Sequence, residues 1–190
     1  LVAGKLAGTS GIRAELEETG LHPTKNQLAE IVKTVKGLGD KGKKITDADM
    51  LAIARAVMGK VIKEKRIVDL TGFSVVTGVG VIPTASVKLV LDGKEYVTSE
   101  TGFGPVDAAI KAVQKLTSPL VNVRLKEYRI EATTGGSDAI GEVIIKVEDK
   151  NGNVVSSRAV NEDIVMASVE AMIDGINKSL LKSRNRKKRS

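Results

Sequence analysis

The sequence predicts an α+β fold, in which a short helical region is followed by a pseudo-two-fold domain built from a duplicated βββα unit. Three observations predict it. Apolar residues recur at helical spacing through the first third of the chain. From Arg66 onward the pattern changes to β-branched runs with period two. Those runs then order themselves as three strands and a helix, twice, at a repeat of about 55 residues.

The elements follow in order. Residues 11–19 form a short amphipathic helix with Ile12 and Leu16 on one face, ended by Gly20. Thr24 is the N-cap of a second helix and Gln27 completes its capping box. Leu28, Ile31, Val32 and Val35 make its apolar face, and Gly37, Gly39 and Gly42 are expected to stop it and to act as hinge points. Thr46 caps a third helix through Asp49, with Met50, Ile53, Ala54 and Val57 as its buried face and Gly59 as its end. Three short helices enclose little core alone, so they should dock on the larger domain. Strands are expected at 67–76, 84–91 and 94–100, the last two joined by Asp92-Gly93, a strong hairpin turn. A helix at 104–116 has Pro105 in its first turn and Val106, Ala109, Ile110 and Val113 on one face. The second set comprises strands at 123–133, 140–148 and 153–160, with Asn151-Gly152 as hairpin turn, and a helix at 161–178. The two halves should bury their helix-facing sheets against each other. The boundaries are a helical subdomain at 1–62, a duplicated domain at 63–181 and a disordered basic tail at 182–190.

Composition narrows the function classes. The chain has 190 residues, no Cys, no Trp and 2% aromatic residues, so its core is built from Val, Ile, Leu and Ala. The absence of Cys excludes disulfides, thiolate metal sites and Cys nucleophiles, and fits a cytoplasmic location. No apolar run approaches the roughly 20 residues that span a bilayer. The chain opens on Leu1-Val2-Ala3 with neither a start Met nor a signal peptide, which reads as a fragment. Of the net charge of +7, six come from Lys182, Arg184, Arg186, Lys187, Lys188 and Arg189, so the body is nearly neutral. With no aromatics among them to stack on bases, these residues read as a solvated end rather than a nucleic-acid surface.

No catalytic constellation emerges. His22, the sole histidine, precedes Pro23 in a helix-entry loop without a second His or a Cys, so neither a metal site nor a catalytic dyad forms around it. Gly78-Val79-Gly80 leads into Ile82-Pro83-Thr84 and a strand, not into a helix, so it is a turn rather than a phosphate loop. The expectation is no catalytic residue and no metal ligand.

Three stretches resemble a known family. Gly102-Phe103-Gly104-Pro105-Val106-Asp107-Ala108-Ala109 is similar to the G-x-G-P-V-D-A-A signature in the regulatory domain of 2-isopropylmalate synthases. Tyr128 through Val143, YRIEATTGGSDAIGEV, looks like the second half of that domain. Gly4-Lys5 through Gly20, with Thr46-Asp47-Ala48-Asp49, is similar to the helical linker that joins barrel and regulatory domain. Where many members carry two histidines in the linker motif G-K-H-S-G-R-H, this chain has Leu6 and Ser10.

The resemblance implies a homodimeric regulatory part of an acyltransferase. The parent would condense acetyl-coenzyme A with a 2-keto acid on a (β/α)8 barrel holding a divalent metal. Neither that barrel nor a cofactor is expected in this chain. The regulatory domain would bind leucine for feedback inhibition; citramalate synthase (isoleucine) and homocitrate synthase are alternatives, as is a stand-alone structural or nucleic-acid-binding module. Carried over by motif, the effector pocket takes Gly102, Gly104, Pro105, Val106 and Asp107 from the first helix entry. Leu125, Tyr128, Ala132, Asp138 and Ala139 supply strand and loop walls, and Val160 comes from the last strand. The residues suit such a ligand: a helix start offers N–H groups to a carboxylate, Asp107 or Asp138 can take an ammonium, and Leu125, Ala132, Ala139 and Val160 can form an apolar slot. Each apolar residue could equally be core, and Asp107 a first-turn residue.

Overall fold

A computed structural model describes residues 8–188; the Gly4–Ala7 part of the linker match and the last two residues lie outside it. Helix α1 (Thr9–Glu18) buries Ile12 and Leu16. Helix α2 (Lys25–Asp40) starts at Thr24 with both bonds of the capping box formed, and α3 (Asp47–Gly59) starts at Thr46 with a second complete box through Asp49. Both α1 and α2 end in the same way. A glycine at positive φ, Gly20 at 81° and Gly42 at 87°, turns the chain. The following N–H reaches back five residues, Leu21 to Leu16 at 2.9 Å and Lys43 to Leu38 at 3.1 Å, which is the Schellman closure.

Gly37 and Gly39 do not stop α2 but lie inside it. Twelve preceding residues with a formed cap carry the helix across two unfavourable positions, and only Gly42, where φ must be positive, breaks it. The expected hinge therefore reduces to Gly42.

The strands are β1 (Val68–Val76), β2 (Thr84–Leu91), β3 (Lys94–Thr101), β4 (Val123–Ala132), β5 (Gly141–Asp149) and β6 (Val154–Asn161). They make two separate antiparallel sheets, β1-β2-β3 and β4-β5-β6. Each half closes with a helix, α4 (Pro105–Thr117) and α5 (Ile164–Lys187). The duplication extends to an irregularity: register shifts between Leu70 and Gly72 in β1 and, 55 residues on, between Leu125 and Glu127 in β4. A bulge repeated at the same place belongs to the unit, since it sets the twist of each sheet over its helix. Asp92 (φ 51°) and Gly93 (φ 82°) form the expected two-residue turn. The second hairpin is wider, because the Asp149 carboxylate accepts the Asn151 and Asn153 N–H groups at 2.8 and 2.9 Å and folds residues 149–153 into a side-chain-stapled loop.

The halves do not meet sheet to sheet. α4 covers β2 and β3, α5 covers β5 and β6, and the two helices pack on each other, so one apolar cluster runs from Val68, Val87 and Leu89 through Val113 to Ile145, Met172 and Ile176. α5 reaches further and grips β1. The buried Asn177 side chain accepts the N–H groups of Ile67 (2.8 Å) and Val68 (3.0 Å) and donates to the Val68 carbonyl (2.8 Å). One turn earlier, Asp174 accepts the Val61 N–H at 2.8 Å. α5 also passes its expected end at 178 and runs through Lys187, so residues 182–187, expected as a disordered tail, are helical. Lys and Arg are good helix formers, and their charge is favourable at a helix C-terminus.

The helical region has its own cluster, Leu16, Leu28, Ile31, Met50 and Ile53, closed on the second half by Ile140, with Val160 packed against it. It docks as expected, on β6.

Replacing Asn177 with Leu strands two buried N–H groups, each costing about 1–3 kcal/mol. Urea unfolding should show a loss of about 2–4 kcal/mol; a loss below about 1 kcal/mol would mean that water takes over the amide's role. A Cβ at Gly39 meets nothing within 4 Å, so Gly39→Ala should raise the unfolding midpoint, worth about 1 kcal/mol. Destabilisation would show instead that the helix needs flexibility there.

Candidate effector site

The motif residues fall into two groups on the structure. At the entry to α4, Gly104 is the N-cap, no side chain caps the helix and Pro105 opens it. Gly102 is demanded by close approach: a Cβ there would lie 2.4 Å from the Ala108 nitrogen. Asp107 is already engaged. Its Oδ2 pairs with the Lys111 ammonium at 2.8 Å and accepts the Phe103 N–H at 2.9 Å; both hold its carboxyl below the usual aspartate range.

The second group lies on β4 and the loop after it. Side chains of paired antiparallel residues share a face, and the register puts Leu125, Tyr128 and Ala132 opposite Val147, Ile145 and Gly141. That is the α5 face, where Leu125 and Tyr128, with Val106 from α4, pack on the main core. Ser168 donates to the Ile164 carbonyl at 2.7 Å, so its single proton is committed and the Tyr128 hydroxyl donates to Ser168 at 2.7 Å. Val160 pairs with Glu142 and so points to the opposite face, toward the helical region. The structure therefore brings Val106, Leu125 and Tyr128 to one core and separates Val160 from them.

The loop 133–140 carries Asp138 and Ala139 and is closed by the Thr133 N–H on the Ile140 carbonyl at 3.1 Å. Asp49, read from sequence only as a helix cap, also reaches this loop. Its Oδ2 accepts the Thr46 N–H at 3.0 Å, and its Oδ1 accepts the Thr133 hydroxyl. Lys43, nearly buried, stands between two carboxylates, 3.8 Å from Asp49 and 3.7 Å from Asp138. Burial pushes the Asp49 carboxyl up, but the bonds from Thr133 and Thr46 and the charge of Lys43 together outweigh it and hold the group below the ordinary aspartate range. No local pattern signals the Asp49–Thr133 bond, because its partners are 84 residues apart. Among the described residues no group of three or more His, Asp or Glu side chains could hold a metal, and no helix is long and apolar enough to cross a membrane.

A lowered carboxyl contributes stability that is complete above its unfolded value and is lost as pH falls through its folded one. Asp49→Asn should therefore cost about 1–3 kcal/mol at neutral pH. The difference from the parent chain should shrink below the ordinary aspartate value of about 3.9. Denaturation curves at pH 7 and pH 3 check this, and an equal deficit at both would assign the loss to shape rather than charge.

The chain is similar to known proteins over most of its length. A probable 2-isopropylmalate synthase of Methanosarcina acetivorans is 46% identical over 177 residues, covering 93% of this chain and 34% of that protein. The 2-isopropylmalate synthase of Methanocaldococcus jannaschii is 49% identical over 186 residues, 96% of this chain and 35% of the other. A putative (R)-citramalate synthase of Methanothermobacter thermautotrophicus is 44% identical over 179 residues, 94% of this chain and 36% of the other. The chain thus spans about a third of the length of these curated relatives. The family model for the LeuA allosteric (dimerisation) domain matches residues 44–180, taking in α3, the first βββα unit and the second up to the last turns of α5, and the chain belongs to that family.

Proposed function

We propose that this chain is the effector-sensing, homodimer-forming part of a 2-isopropylmalate synthase, binding leucine and transmitting its presence to a catalytic barrel. The observation that carries the reading is the double tie between the helical region and the loop 133–140: Asp49 to Thr133, and Lys43 to Asp138. That loop supplies the ligand's ammonium acceptor. Asp107 is held by Lys111 and Phe103, whereas the Asp138 side chain is 71% exposed and holds Lys43 only at 3.7 Å. An ammonium on Asp138 would release Lys43 wholly to Asp49, changing the seat of α3 at its N-terminus. A ligand shifts a conformational equilibrium only by its differential affinity for the two states, and a cation that exchanges partners provides such a difference.

Dimerisation is supported by exposed apolar surface on the first half. Counting from the pairs Val76↔Thr84 and Glu131↔Glu142, Ile82 occupies the place that Ile140 holds in the second half. Ile140 is fully buried under the helices, while Ile82 is 70% exposed, with Val79 and Phe103 also bare. A second copy is the cover this reading assigns to them.

Isoleucine is the second candidate effector, favoured by the near-equal likeness to a citramalate synthase. The two isomers differ in branching alone, and pocket shape separates such ligands by about 1–3 kcal/mol. Calorimetric titration of the chain with leucine, isoleucine and lysine separately should give saturable heat with leucine. Isoleucine binding would reassign the parent to the citramalate type and lysine binding to the homocitrate type; no heat from any would end the sensing reading. In the full synthase, Lys43→Met should keep leucine affinity and lose most of the inhibition. An unchanged inhibition curve would remove Lys43 from the mechanism.

A further inference from the structure

A cavity lies away from the motif residues. It has a volume of about 210 Å³ and opens where the exit of α3, the start of β1 and α5 meet. Tyr128 and Ser168 face one side of α5; the cavity takes the other, at Met166, Glu170 and Ile173. Its size is below the roughly 300–1,000 Å³ of drug-sized sites and suits a molecule of amino-acid size.

The walls carry both signs of charge. Lys60 and Arg66 line one side, and Asp69 and Glu170 are also present. Most of these groups are only loosely matched within the protein. Lys60 stands 3.5 Å from Glu30, and the Arg66 NH1 atom is 3.9 Å from Asp69, its Nε being spent on the Val61 carbonyl at 2.8 Å. At the base, the Asp174 Oδ1 accepts the Val61 N–H, its buried Oδ2 stands 3.0 Å from the Lys178 ammonium as an ion pair with no hydrogen bond, and Asn177 is bonded to β1. Glu170 is different. It is partly buried, and among the described ion pairs it has none, whereas Lys60 beside it is turned toward Glu30. Burial pushes its carboxyl above the ordinary glutamate range, against the pull of Lys60 and a hydrogen bond with Asn161. Leu70, Met166 and Ile173 give the cavity an apolar side.

We propose that this cavity is a binding site for a small zwitterion of the α-amino-acid class, with its ammonium on Glu170, its carboxylate between Lys60 and Arg66, and a short apolar chain against Leu70, Met166 and Ile173. A partly buried carboxylate without an ion-pair partner gains most from an ammonium, since a charge-assisted hydrogen bond in a poorly solvated place is worth more than one in water. Two loosely paired cations supply the matching half. The place has a structural consequence as well. The ligand would bridge Lys60 and Arg66, on either side of the turn that leaves α3, to the middle of α5, bracing the helical region against the domain. This site is independent of the leucine reading and uses none of its residues.

The test uses the whole chain, 15N-labelled, and three probes of similar size: L-norvaline, valerate, which lacks the ammonium, and butylamine, which lacks the carboxylate. Norvaline should shift the amide resonances of Asp69, Leu70 and Glu170 saturably, and each half-probe should bind at least tenfold more weakly. Glu170→Gln, which keeps shape and loses charge, should weaken norvaline tenfold or more, and Lys60→Met similarly. Tyr128→Phe should leave binding at these amides unchanged. Acidification should also weaken it, as Glu170 takes up a proton. The proposal is overturned if norvaline shifts only residues 102–107 and 128–139, in which case the leucine reading still stands. It is equally overturned if Glu170→Gln binds as tightly as the parent chain, if butylamine alone binds as well as norvaline, or if no probe binds saturably at millimolar concentration.

Discussion

Two side chains one turn apart on α5 hold three parts of the molecule together. Asn177 is buried and makes three hydrogen bonds to the backbone at the start of β1, and Asp174 takes the N–H of Val61 just after α3. Each sheet already has its own helix, so each βββα unit could in principle close on itself. What prevents two loosely joined units is that α5 belongs to both. It covers its own sheet, packs on α4, and anchors the first strand of the other half. A small amide with three short bonds achieves this because edge backbone groups must find partners when buried, and α5 offers them where another strand would otherwise be required.

This constraint also explains an unusual composition. A core with almost no aromatics gains about 1.5–3 kcal/mol for each fully buried aliphatic side chain, and needs many such residues in one continuous cluster. Pooling both halves around α4 and α5 supplies that continuity. Alanines at 108, 109, 112, 167 and 171, all buried, contribute little area individually, but they leave no bulk to hold the elements apart.

Much of this was legible in the residues, and the exceptions share a cause. Capping boxes at Thr24 and Thr46, the Asp92-Gly93 turn and the repeated βββα order are local signals, and all appear where the sequence places them. Gly37 and Gly39 misled because propensity is a weak prior once a helix is capped and docked. The end of α5 is hidden in the composition, because a basic run reads as a solvated tail although the same residues favour a helix C-terminus and α5 extends through Lys187. In the candidate site, the family resemblance names residues at the α4 entry and on the β4 face, but no local pattern tells that Val160 points away from Tyr128; that depends on pairing with Glu142, fixed by the register of β5 and β6. The Asp49–Thr133 bond joins residues far apart in the chain, and nothing local distinguishes a cap that does one job from a cap that does two.

That double duty bears on how the proposed effector signal would reach the helices. A helix cap is an economical place to read a distant event, because the cap decides whether the first turn of a helix is formed and how it is seated. Asp49 is buried, so its carboxylate needs partners: Oδ2 accepts the Thr46 N–H, Oδ1 accepts the Thr133 hydroxyl, and the Lys43 ammonium stands 3.8 Å from Oδ2 as an ion pair. Any change in the loop 133–140 that moves Thr133, or that changes the charge facing Lys43 at Asp138, must be answered at Asp49 by a new arrangement of the remaining partners. Because buried polar groups are costly to leave unsatisfied, the proposed effector response would take the form of a switch between discrete bonded states rather than a gradual drift. The helical region has few ways to absorb the change elsewhere, since its apolar cluster closes on Ile140 at the end of the same loop. The loop is therefore held to the helices by a polar contact at one end and an apolar one at the other, and whatever orders the loop is felt directly by α3.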